Sequence, residues 1–107
     1  MANNTTLLKQ QIYDRLNITW SDVDTDRYIS TIMNNAISTL TTKLAIIDNN
    51  FDFSTTSQEN NLFLAYCLYV YNHEESNFDD NYHNEILQIR QKNLTNQYES
   101  ELQNDNP

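Results

Sequence analysis

Three aspartates at alternate positions, Asp22, Asp24 and Asp26, come nearest in this chain to a recognisable ligand set. They imitate the first three ligand positions of a calcium-binding loop. Such a loop also needs glycine at its sixth position, for the sharp turn, and a bidentate glutamate at its twelfth. Those positions hold Arg27 and Met33. Without both features calcium has no closed cage, and negative charge at the start of a helix is the better account of the three acids. A second cluster runs from His73-Glu74-Glu75 through Asp79-Asp80 to His83-Asn84-Glu85. Its imidazoles and carboxylates suit a divalent ion. The two histidines, however, are separated by an expected turn and lack the three- or four-residue spacing of helical ligand pairs. A solvated junction between helices is the more ordinary reading. Cys67 is the sole cysteine, which excludes an intrachain disulfide and a thiolate cluster; between Tyr66 and Leu68 it reads as a small buried hydrophobe. No nucleophile stands beside a base in a recognisable arrangement. Glycine is absent, and with it the phosphate-cradling loop, the dinucleotide fingerprint and the strained serine elbow. The expectation is a protein that is not an enzyme, with no catalytic, cofactor-binding or metal-binding residues.

Charge narrows the choice further. The 107 residues include 15 acidic and 6 basic ones, for a formal charge of -9 and a pI near 4.3. Binding nucleic acid through its phosphates needs clustered Lys and Arg, so the balance argues against that class. Acidity favours solubility and a basic partner surface. Met1 to Thr6 is polar and uncharged, and no stretch is long and apolar enough for a membrane span. A soluble protein, made in the cytoplasm and kept off membranes, is expected.

The elements that would position these residues are helices. Leu8, Ile12 and Leu16 repeat every fourth residue and predict a helix over 6–16, with Asn17, which tolerates a left-handed conformation, as its stop. A second helix should start after a Ser21/Asp24 capping box and run to about Ile46. Ile29, Ile32, Met33, Ala36, Ile37, Leu40 and Leu44 would form its buried face. Thr56 and Glu59 suggest another capping box, for a third helix over 57–76. There Leu62, Ala65, Tyr66 and Tyr69 share one face and Leu64, Cys67, Leu68 and Tyr71 the other. A helix apolar nearly all round belongs at the centre of the domain. A fourth helix, starting at Phe78 and Asp79-Asp80, would turn Tyr82, Ile86 and Ile89 inward. The fold expected is therefore all-α: a bundle of about four helices with a central apolar third helix and a polar C-terminal tail. Residues 1–95 would form the domain, and 96–107 a tail ordered only within an assembly.

Two surfaces point to assembly. The outward face of the second helix carries Arg27, Ser30, Thr31, Asn34, Asn35, Ser38, Thr41 and Thr42 where a solvated helix normally carries charges. Small uncharged side chains permit close approach of another surface, although the chain's general richness in Asn and Thr would produce the same pattern. Asn34, Ser38 and Thr41 are the candidate contact residues there. On the fourth helix, Leu87, Leu94 and Tyr98 make a stripe separate from the inward one, and a second apolar stripe calls for a partner in another component.

From Leu7 to Asn93 the chain resembles the small head–tail connector proteins of tailed bacteriophages, also called adaptors or head-completion proteins. The resemblance rests on the helix ending in Leu16-Asn17-Ile18-Thr19-Trp20 and the acidic entry Asp22-Val23-Asp24-Thr25-Asp26. It continues through the Ile29, Ile32, Ala36 and Leu40 series and the aromatic helix Leu62 to Tyr71. Asn72-His73, Phe78, Asn81-Tyr82 and Glu85-Ile86 complete it. These are diffuse structural signatures. One departure is that members often have glycine shortly after the long helix, where this chain has Ala45 to Asn50. The resemblance implies a homo-oligomeric ring, commonly twelvefold, in the virion neck at the portal vertex of the capsid. Such a ring docks on the portal protein, extends the DNA channel without binding DNA specifically, and receives a stopper or tail-completion protein. The alternative is a small acidic phage regulator that binds a host or phage protein; as a DNA mimic it would array carboxylates on one exposed face. The concentration of acids at helix starts and turns favours the structural reading.

Overall fold

The computed structural model describes residues 3–48 and 50–104, and among these the regular elements are all helices, with no strand. The first, α1 (Thr5–Arg15), starts where Asn4 Oδ1 accepts the Leu7 backbone N–H at 3.1 Å. Leu8 and Ile12 are wholly buried and Leu16 packs beside them. The second, α2 (Val23–Lys43), is capped by Asp22, which accepts from the Thr25 N–H at 2.8 Å. The cap is thus Asp22 and not Ser21, because a carboxylate meets the positive helix end better than a hydroxyl. Ile29, Ile32, Met33, Ala36, Leu40 and Leu44 are buried and Ile37 is half-buried, as the periodicity predicts.

The third helix, α3 (Gln58–Tyr71), is capped by Ser57, whose hydroxyl accepts the Asn60 N–H at 3.0 Å. The expected Thr56/Glu59 box is therefore displaced by one residue. Glu59 is buried and reaches Lys92 at 3.4 Å. α3 packs on both α1 and α2 and meets the segment that follows it, so it is the central helix. Its enclosure is uneven. Phe63, which the two-face reading assigned to neither side, is wholly buried, whereas Leu68 and Tyr71 are only half-buried.

The expected fourth helix is broken, which brings the helix count among the described residues to five. A 3₁₀ turn (Glu75–Asn77) leads into a short α4 (Phe78–Asn81), and α5 (His83–Asn104) follows after Tyr82. Packing explains the break. Phe78 is wholly buried, with the rings of Tyr66 and Tyr82 5.0 Å away and that of Tyr69 at 5.7 Å. Burying that ring against α3 holds the short α4 there, and α5 begins after Tyr82. α5 continues across the expected domain boundary at 95 through Asn104. Glu, Gln and Leu are good helix formers, so residues 96–104 extend the helix instead of forming a loose tail. Residues 105–107 lie outside the described residues.

With no glycine, the first three helices close on other residues in the left-handed region: Asn17 (φ 58°), Ala45 (φ 55°) and His73 (φ 60°). Each end has the same double closure. After α2, the Ala45 N–H donates to Thr42 O and the Ile46 N–H to Thr41 O; the pairs Asn17/Ile18 and His73/Glu74 repeat the pattern. Ala45 has a Cβ and reaches the left-handed conformation at a steric cost. α2 accordingly stops at Lys43, short of Ile46.

The α2–α3 connection is held by long-range polar contacts. Asn3 Oδ1 accepts the Phe53 N–H at 2.7 Å. The Asn60 amide donates to Phe53 O at 2.7 Å and to Gln11 Oε1 at 3.0 Å, and Gln11 donates to Ser54 O at 2.9 Å. Phe53 is buried with its ring 5.0 Å from Phe63. Chemical unfolding tests the account of the helix ends. Ala45→Gly removes the left-handed penalty and should raise stability by about 0.5–1 kcal/mol. Ala36→Gly, within α2, should lower it by about 1 kcal/mol or more. Destabilisation by Ala45→Gly would contradict this closure of α2.

Candidate subunit interface

The two candidate surfaces lie on different helices. On α2, Asn34 and Ser38 are exposed and Thr41 is half-buried. On α5, Leu87, Leu94 and Tyr98 are 49, 41 and 62% exposed. The structure brings each trio together as one helical stripe without joining the two trios to each other. What relates them is the clamp by which α5 holds the end of α2. Arg90 Nη1 donates to Thr42 O at 3.1 Å and to Lys43 O at 3.3 Å, and the Asn93 amide donates to Leu44 O at 2.7 Å. A cation and an amide thereby meet the last carbonyls of α2 and its cap, of which Thr42 O also receives the Ala45 N–H. Lys43, in the last turn of α2, pairs with Asp79 at 2.9 Å. Arg90 and Asn93 flank the stripe of Leu87, Leu94 and Tyr98, which the clamp leaves exposed.

The hydroxyls on the α2 face are partly self-satisfied. Thr31 donates to Arg27 O at 3.0 Å, Thr41 to Ile37 O at 2.6 Å and Thr42 to Ser38 O at 3.3 Å. A threonine bonded back to its own helix can be covered by an apolar surface without losing a hydrogen bond. The face is therefore less polar in effect than its composition suggests. No acidic residue occurs from 27 to 47 or from 86 to 98.

The residues first considered for chemistry are spread among structural tasks. Asp22 is the α2 cap. Asp26 accepts from Lys9 Nζ at 3.1 Å and from the Tyr13 hydroxyl at 3.2 Å, so the three aspartates do not converge. Burial, reinforced by the Asp26 charge, pushes the Tyr13 hydroxyl above its ordinary pKa. His73 occupies a left-handed helix end and His83 starts α5. Among the described residues no group of three or more His, Cys, Asp or Glu side chains is placed to hold a metal ion. Cys67 is buried, which pushes its thiol up to about 12 and keeps it protonated at neutral pH. No described helix is long and apolar enough to cross a membrane.

Sequence reasoning missed several surface features. Trp20, Val23 and Ile47 are 52, 71 and 64% exposed. Ile46, Ile47 and Phe51 line a groove of about 360 Å³ with Asn93 and Gln97 of α5. No helical period covers these loop and helix-end positions, so no local pattern announced them. Comparison with family models, curated proteins and solved structures finds no match for this chain.

The Asp22 cap makes a pH prediction. The Thr25 backbone N–H, then the Thr25 hydroxyl, hold the Asp22 carboxyl below its ordinary 3.8, despite an opposing effect of desolvation. The Ser54 hydroxyl does the same for Asp52. A carboxylate depressed in the folded state stabilises above its unfolded pKa, and that stability is lost as pH falls through the folded value. Asp22→Asn still caps but cannot titrate. Between about pH 6 and about pH 2 its unfolding free energy should therefore fall less than the parent's. Parallel curves would remove Asp22 from the acid response.

Proposed function

We propose that this chain is a structural, non-enzymatic subunit, a head–tail connector or adaptor. It forms a homo-oligomeric ring, twelvefold by resemblance, at the portal vertex of a tailed bacteriophage virion. In this reading the ring docks on the portal protein, lengthens the DNA channel and receives a stopper or tail-completion protein. One observation carries the proposal. A chain of charge -9 keeps two exposed helix faces, one on α2 and one on α5, free of carboxylates over most of their length. Like-charged copies can approach only across such faces, because buried unpaired carboxylates are costly. Asn34, Ser38, Thr41, Leu87, Leu94 and Tyr98 are the joining residues. The acidic remainder suits a channel component that must let DNA slide past without holding it.

The alternative, a small acidic regulator, would draw on the exposed Glu74, Glu75 and Asp80 and the half-buried Glu85 around the 3₁₀ turn and the start of α5. It has less support. Asp22 and Asp52 serve backbone N–H groups, and Asp26, Glu59 and Asp79 are paired with lysines, so much of the acidity is internal to the fold.

Electron microscopy of the purified chain mixed with its cognate portal tests the proposal. Added ring density beneath the portal is expected. The double variant Asn34→Glu/Ser38→Glu should retain native circular dichroism, since exposed helix positions accept Glu readily, yet form no ring. Absence of parent density on the portal would contradict the connector reading.

A further inference from the structure

The exposed faces of α2 and α5 are complementary to each other. On α5, Leu87, Gln91, Leu94, Tyr98 and Glu101 are separated by four, three, four and three residues, the seam of a heptad repeat, and all are exposed. On α2, Arg27, Thr31, Asn34, Ser38 and Thr41 repeat the same spacing, and all but the half-buried Thr41 are exposed. Each seam runs over fifteen residues, about 21 Å of helix from end to end. On the α5 seam Leu87, Leu94 and Tyr98 are large and mostly apolar, with Gln91 between them and Glu101 at the end. The other is small, and two of its hydroxyls, on Thr31 and Thr41, are bonded to their own helix. Large side chains on one helix fit the spaces between small ones on the other, as knobs fit holes.

Charge sets the direction. Arg27 at the start of the α2 seam and Glu101 at the end of the α5 seam have no ion-pair partner among the described residues. Laid antiparallel, the seams bring Glu101 to Arg27, Leu94 to Asn34 and Leu87 to Thr41. Laid parallel, they set Glu101 against Thr41 and leave both charges unmatched.

We propose that α5 of one copy lies antiparallel along α2 of the next copy, with Glu101 paired to Arg27 across the contact. The occupant of the α5 stripe is thus a second copy of this chain. Because each copy offers two different faces, the contact is head-to-tail and repeats around a ring without being satisfied in a pair. This assignment rests on the ring reading above and specifies which surfaces meet.

Charge reversal on the full chain tests it, with self-association followed by sedimentation velocity and ring formation on the portal by electron microscopy. Arg27→Glu and Glu101→Arg alone should each weaken association at least about tenfold, by setting like charges opposite each other. An equimolar mixture of the two variants should recover it, because every contact in an alternating assembly is again between opposite charges. Circular dichroism should match the parent throughout, both positions being exposed. Single variants that assemble like the parent, or a mixture that fails to recover, would overturn this pairing while leaving the ring reading intact. A parent chain that remains monomeric both in solution and on the portal would overturn both.

Discussion

The contact on which the arrangement depends is the clamp of α5 on the end of α2. A helix ends with carbonyls that lack partners, and where a left-handed residue closes such an end it is usually glycine. This chain has none. Ala45 turns the backbone instead, and Arg90 and Asn93 reach back from α5 to Thr42, Lys43 and Leu44. Leu87, Leu94 and Tyr98 lie beside this contact on α5 and remain outside, and so does the α2 face beyond Arg27. Secondary structure, packing and the candidate interface are linked through these three residues.

Electrostatics works in the same direction. With 15 acids on 107 residues, carboxylates compete for surface. Some are removed from competition by structural use: Asp22 and Asp52 receive backbone N–H groups, and Asp26, Glu59 and Asp79 face lysines. Others gather around the turn from Glu74 to Glu85. The two long helices keep stretches without acids, and these are the places where a second copy can approach without burying an unpaired charge. The segregation is already present in the sequence, where 27–47 and 86–98 contain no acid, and folding turns each stretch into an exposed helix face.

How much of this was legible in the sequence depends on how local the deciding interaction is. The buried series of α2, the Leu8 and Ile12 stripe of α1 and the Asn17 stop follow from spacing alone and stand in the structure. The α2 face and the α5 stripe were legible for the same reason: each is a periodicity within one helix. Helix starts were readable to within a residue, because Ser21 and Asp22, or Thr56 and Ser57, compete for a single cap. The break at Tyr82 was not readable. It comes from Phe78 packing against α3, and no pattern around Phe78 distinguishes a buried ring that breaks a helix from one that lies along it. The same holds for the contacts of Asn3, Gln11 and Asn60 around Phe53 and for the Arg90–Asn93 clamp, which join residues far apart in the chain. Likewise the heptad match between α2 and α5 becomes visible only once α5 is known to extend to Asn104.

The central claim is that the two faces meet between copies, and oxidative cross-linking measures this most directly. Cys67 can stay in place, since burial keeps its thiol protonated and out of reach. An Asn34→Cys chain and a size-tagged Leu94→Cys chain, mixed and oxidised, should yield the mixed disulfide dimer as the main product, because a bond forms only where the two backbones come within about 7 Å. Homodimers of either variant in place of the mixed product, or no cross-link at a concentration where the chain assembles, would contradict the account.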